Sequence, residues 1–142
     1  MIIVDVNLLL YAVNREAPLH EKARKWWEGA LSGNEEIGIP WNVLLAFLRL
    51  TTKSGAFTHP LKPERAFDIL AEWLAQPNVT TVEPGGRHLE TIRKLIAPLG
   101  TAGNLTSDAH LAAIAIERNA QLCSCDSDFA RFAGLDWKDP LA

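Results

Sequence analysis

Residues 1–7 read MIIVDVN. Ile2, Ile3 and Val4 form a β-branched run that stops at Asp5, which reads as a short buried strand with a carboxylate at its carboxyl end. Three further runs are predicted as strands: EIGIP at 36–40, VTTVEP at 79–84 and AQLCSC at 120–125, with DW at 136–137 as the start of a terminal edge strand. Helical spacing fills the intervals. LHEKARKWWEGALSG, residues 19–33, places Leu19, Ala23, Trp26, Trp27, Ala30 and Leu31 on one face and closes at Gly33. WNVLLAFLRLTTK, 41–53, reads as a mostly buried helix. A further helix starts near Pro63 and ends before Pro77, and another lies between Gly86 and Gly100. TSDAHLAAIAIERN, 106–119, is a small-residue helix with Thr106 or Ser107 as the expected N-cap, and DSDFARFAGL, 126–135, gives a short one. Alternating strands and helices imply an α/β fold with a mostly parallel sheet. The 142 residues suffice for one domain spanning 1–142, with KSGAFTHPLKP, 53–63, as the expected mobile loop.

Bulk composition excludes several classes. Hydrophobic residues make up 48% and charged residues 22%, ordinary for a globular chain, and no apolar run approaches the ~20 residues of a membrane helix. The amino terminus lacks a basic segment and carries Asp5 inside its apolar stretch, which argues against a signal peptide. Cys123 and Cys125 are the only cysteines; at i and i+2 on one strand they suit a mutual disulfide poorly, so a reduced, cytoplasmic protein is expected. The net charge is −3, so a nucleic-acid partner has to be held by a local patch or through metal ions.

The acids fall at particular places. Asp5 ends the first strand and Asp126 the fourth, and the carboxyl ends of parallel strands share the edge where α/β folds place their sites. Asp108 opens a helix that follows another helix, so spacing alone does not bring it to that edge. Each acid also has a purely structural role open to it: Asp5, Asp126 and Asp128 as caps, Asp108 as a first-turn acid favoured by the helix dipole. Sulfur is the weaker metal donor here. A thiolate zinc site needs four ligands from spaced pairs, and there is no second Cys pair. His20, His59, His88 and His110 show no metal-ligand spacing, and His110, two residues past Asp108 on a helix, points away from it.

The segments MIIVDVNLLLYA, LLAFLRL, NLTSDAHLAAIAIERNA and CSCDSDF together resemble the PIN-domain ribonucleases, and more closely the VapC toxins of toxin–antitoxin pairs, from Met1 to about Leu141. The resemblance implies a three-layer α/β/α fold and an endoribonuclease that cuts single-stranded or loop regions of RNA with Mg²⁺, or Mn²⁺ in its place. By it, Asp5, Asp108 and Asp126 are the catalytic, metal-holding acids, with Asn7, Ser124, Asp128 and Arg49 in support. It also implies a homodimer silenced by a VapB-type antitoxin. One departure stands out: Ala46, three residues before Arg49, occupies the place of an expected Glu. Oxygen ligands of this kind suit hard divalent cations, which would offset the mutual repulsion of the acids and let an acidic protein approach a polyanion. Arg49 is the cation expected nearest the site, as an ion-pair or phosphate contact. Arg15, Lys22, Arg24 and Lys25 read as a solvated face or an outer RNA surface, and the five tryptophans as core or as partner surface. The alternative function is a non-catalytic PIN-like module that only binds RNA or protein.

Overall fold

A computed structural model describes residues 1–142. Its centre is a sheet of five parallel strands: β1 (Ile2–Val4), β2 (Ile37–Pro40), β3 (Val79–Val82), β4 (Gln121–Cys123) and β5 (Trp137–Lys138), in the order β3-β2-β1-β4-β5. Strand β1 is central, pairing Ile3 with Gly38 of β2 on one side and with Leu122 of β4 on the other. Every residue of β1 and β2 is buried, as expected of a parallel sheet covered on both faces. Gly38 is needed in the middle of β2, because a Cβ there would lie 2.7 Å from Ile3 Cδ1 and 2.9 Å from Val82 Cγ1.

Six helices flank the sheet: α1 (Val6–Val13), α2 (His20–Ser32), α3 (Trp41–Thr51), α4 (Pro63–Leu74), α5 (His88–Ile96) and α6 (Thr106–Glu117). The architecture is the α/β/α arrangement expected from the sequence, and the strands are not merely mostly but entirely parallel. The core contains Trp27 and Trp73, edge-to-face at 5.4 Å, with Phe47 at 5.1 Å from Trp73. Two of the five tryptophans are therefore core, and Trp26 is half-buried beside Trp27.

Three local features differ from the sequence reading. Helix α1 has no counterpart there: VNLLLYAV carries Asn7 as its only polar side chain, so no polar face marks a helical period. Neither Thr106 nor Ser107 caps α6. Leu105 stands at the N-cap without a side-chain bond, and the Thr106 hydroxyl donates to the Gly103 carbonyl at 2.9 Å instead. The segment 53–63, expected to be mobile, is tied down by buried Phe57 and by the Leu61 amide, which donates to Thr51 O at 2.8 Å.

Candidate metal-binding active site

The carboxyl ends of β1 and β4 meet at Ser124, a fully buried side chain. Its hydroxyl donates to Asp5 Oδ2 at 2.7 Å and accepts from Asn7 Nδ2 at 3.1 Å and from the Asp126 amide at 3.0 Å. One oxygen thus fixes the first strand end, the first turn of α1 and the loop after β4. The Asp5 amide donates to Cys123 O at 3.0 Å, and Asp5 Oδ1 accepts from the Val6 amide at 2.7 Å, so Asp5 both ends β1 and caps α1. Asn7 Oδ1 accepts from the Cys125 amide at 3.4 Å, a second link between α1 and the loop. Asp126 caps the short 3-10 turn at 127–131, its Oδ1 accepting from the Asp128 amide at 2.9 Å. The capping roles open to Asp5 and Asp126 are therefore real, and each leaves carboxylate oxygen capacity unused.

Asp108, in the first turn of α6, comes to the same place. Ligand oxygens of Asp108, Asp126 and Asp128 lie within 4.8 Å of one another. Asp5 adjoins this trio, and its charge is among those that act on Asp108. Burial first, then the charges of Asp126, Asp5 and Asp128, push the Asp108 carboxyl up to about 6. Burial likewise holds Asp5 above its ordinary value, against the opposing pull of the Ser124 and Val6 hydrogen bonds. No Lys, Arg or His ion-pairs with any of the four acids. Converging carboxylates without a cation from the chain suit a hard divalent ion, and the donors are all oxygen.

The other candidates stand apart. Both cysteines are free thiols; burial pushes Cys123 up to about 11, and burial with the neighbouring Asp139 pushes Cys125 up to about 12. Neither belongs to the group of converging ligand atoms, whose donors are all carboxylate oxygens. His110 turns away from the acids, its Nδ1 lying 2.7 Å from His88 Nε2, while His88 Nδ1 meets Glu117 Oε1 at 2.6 Å. Arg49 is exposed on α3 and makes no ion pair with the acids, so of the two roles open to it the ion pair is not formed. Helix α3 contributes no acid at all, Ala46 included. Arg24, read as part of a solvated face or an outer RNA surface, is engaged by Glu21 at 3.0 Å and Glu28 at 2.9 Å, which suits the solvated face.

The raised Asp108 carboxyl makes the stability of the metal-free chain depend on pH. In the unfolded chain it ionises near the ordinary value of ~3.9. The folded, metal-free chain holds the proton to about pH 6 and so binds more protons in the interval. Its contribution to stability is complete below about pH 4 and is lost as pH rises to about 6. In chelator, thermal melts should therefore fall across that window, and Asp108→Asn should flatten the fall. Divalent-ion affinity should rise with pH over the same range, since the ion displaces the proton. An unchanged pH slope in Asp108→Asn would assign the titration elsewhere.

The PIN domain family matches residues 2–135. The chain belongs to the PIN-domain family. Its PIN domain is 47% identical to Ribonuclease VapC37 of Mycobacterium tuberculosis over 142 residues, covering 100% of this chain and 99% of that protein. It is 46% identical to Ribonuclease VapC33 of the same organism over 141 residues, covering 99% of each. This places it with the VapC-type PIN proteins. Solved structures agree on the fold. VapBC2 from Rickettsia felis, bound to a DNA fragment from its promoter, matches at a TM-score of 0.71 and 22% identity, covering 97% of this chain and 98% of that one. VapC20 of Mycobacterium tuberculosis, described as a sarcin–ricin loop cleaving toxin, matches at 0.66 and 18%, covering 95% and 96%. No helix of this PIN domain is long and apolar enough to cross a membrane.

Proposed function

We propose that the chain, acting as one domain over residues 1–142, is a cytoplasmic endoribonuclease of the VapC toxin type. It cuts single-stranded or loop regions of RNA with Mg²⁺, or with Mn²⁺ in its place. The observation that carries this is the convergence of Asp108, Asp126 and Asp128, with Asp5 beside them, at the carboxyl edge of the sheet without a balancing cation. Relatives at 46–47% identity over nearly the whole chain are named ribonucleases, which supports the reaction class.

In this reading Asp5, Asp108 and Asp126 hold the ion, and Asp128 supplies the remaining carboxylate that α3 lacks. A divalent ion bound there would activate water for attack on the scissile phosphate and offset charge developing on it. The chain's own contribution is position. Ser124 and Asn7 lock Asp5 and the 125–128 loop in register, so the acids are ordered before any ligand arrives. Arg49, exposed and unpaired, is a phosphate contact outside the acid cluster. A homodimer and a VapB-type antitoxin are proposed as partners, on the strength of fold neighbours solved as VapBC complexes.

Metal-dependent cleavage by the purified chain separates this function from that of a module that only binds RNA or protein: cleavage that stops in chelator supports the enzyme, and RNA binding without cleavage in Mn²⁺ supports the module. A second test addresses Ala46. Ala46→Glu should tighten Mn²⁺ binding in the absence of RNA by roughly 10-fold, since ligand charge and number set affinity for hard cations. Calorimetric titration of both proteins reads this, and equal affinities would mean that position 46 does not face the ion.

A further inference from the structure

Strand β2 ends at Pro40, and α3 begins at once with Trp41. The register of β1 with β2 pairs Ile2 with Ile37 and Ile3 with Gly38. Carried two residues on, it sets Asp5 opposite Pro40, one strand spacing away, ~4.8 Å. Trp41 is the next residue, so it stands at the same carboxyl edge as the acid cluster. Its side chain is left out of the core: Trp41 is 48% exposed, whereas Trp27 and Trp73 are 2% and 8% exposed. It joins none of the aromatic pairs of the core. Leu45, 59% exposed, and Arg49, also exposed, follow at four-residue intervals and share its helix face.

A half-exposed indole at the edge that carries an acidic site offers a flat apolar face to a ligand. A stable protein interface takes ~800 Å² from each partner, and a half-exposed tryptophan with one leucine, bounded by Asn42 and Arg49, supplies far less. An unpaired nucleobase fits better. Stacking acts through a π face without charge, which suits a chain of net charge −3, whose site acids have no ion-paired cation, for holding a polyanion. The stripe then reads in order: base on Trp41, ribose against Leu45, phosphate at Arg49.

We propose that Trp41 is a stacking platform for an unpaired base of the RNA substrate next to the cleaved bond, with Arg49 holding a phosphate on the same strand. This rests on the ribonuclease function proposed above. Trp41 is a substrate-binding residue in this scheme; it sets which unpaired segments enter and has no part in holding the ion.

The test is anisotropy binding of fluorescein-labelled oligoadenylate, oligouridylate and an abasic strand of equal length to the full chain, with Ca²⁺ in place of Mg²⁺ to hold the RNA uncut. Cleavage kinetics in Mg²⁺ and sedimentation are measured on the same proteins. Trp41→Ala should weaken oligoadenylate binding about 10-fold, erase the preference for adenine over uracil, and leave the abasic strand bound as before. KM should rise with kcat nearly unchanged, and Trp41→Phe should recover most of the affinity. Two results overturn the proposal: equal binding of all strands by wild type and Trp41→Ala, or an equal loss on the abasic strand together with a changed sedimentation coefficient, which would make Trp41 a protein contact. Failure of the wild type to bind or cut any RNA is a separate outcome and overturns the ribonuclease function itself.

Discussion

Replacing Asp108 with Asn is expected to lower metal-dependent RNA cleavage roughly 1,000-fold, about 4 kcal/mol of transition-state stabilisation, while leaving the fold intact. Asp108 makes no hydrogen bond to the chain that Asn would break; what it gives the site is charge, in a position where burial and three neighbouring acids already oppose ionisation. In chelator the variant should melt at or above the wild-type temperature, because one repelling carboxylate is gone. At Asp5 the same replacement mixes two effects, since Asp5 also accepts from Val6 and Ser124, and a neutral amide would turn a donor toward one of them. Asp108 therefore gives the cleaner separation of catalysis from folding. Full activity in folded Asp108→Asn would remove it from the site.

Ser124→Ala is the largest expected structural effect. The buried hydroxyl serves Asp5, Asn7 and Asp126 at once, and a methyl group leaves two donors and one carboxylate oxygen without their partner. Stranded buried groups cost about 1–3 kcal/mol each where water cannot replace the bond. The site is partly open to solvent, so a total of about 3 kcal/mol is expected, and a fall in Tm of about 10 °C. Divalent-ion affinity should drop a further 10- to 100-fold or so, as when an outer-shell partner of a ligand is lost. Ser124→Thr keeps the hydroxyl and should keep activity. Wild-type melting and ion binding in Ser124→Ala would mean that the hub does not organise the acids.

The sheet was legible because the β-branched run before Asp5 and the alternating run before Asp126 are short and separated by helical spacing. Helix α1 was not, since VNLLLYAV packs Leu8, Leu9 and Ala12 into the core and shows no polar face to betray its period. Asp5, directly after β1, and Asp126, three residues past the end of β4, could be placed on one edge from topology alone. Asp108 could not: it follows α5 and a pair of 3-10 turns, and only the packing of α6 brings its first turn to that edge. The closeness of Asp128 to the cluster depends on the tight turn capped by Asp126, a detail of two residues that spacing does not resolve. Trp41 carried no signal among five tryptophans, because which of them lie in the core is a property of packing rather than of pattern. Arg49 was singled out by its position in LLAFLRL, and its exposed place on α3 follows from the helix phase that buries Phe47.

In the proposed function these acids cut RNA through a divalent ion. The most direct measurement is the mapping of new RNA ends in total cellular RNA after brief expression of the wild type and of Asp108→Asn, paired with the same RNA treated by purified protein in Mn²⁺ or in chelator. Discrete ends in unpaired segments should appear with the wild type in cells and in Mn²⁺, and be absent with Asp108→Asn and in chelator. The same ends persisting in chelator, or arising equally with folded Asp108→Asn, would contradict it.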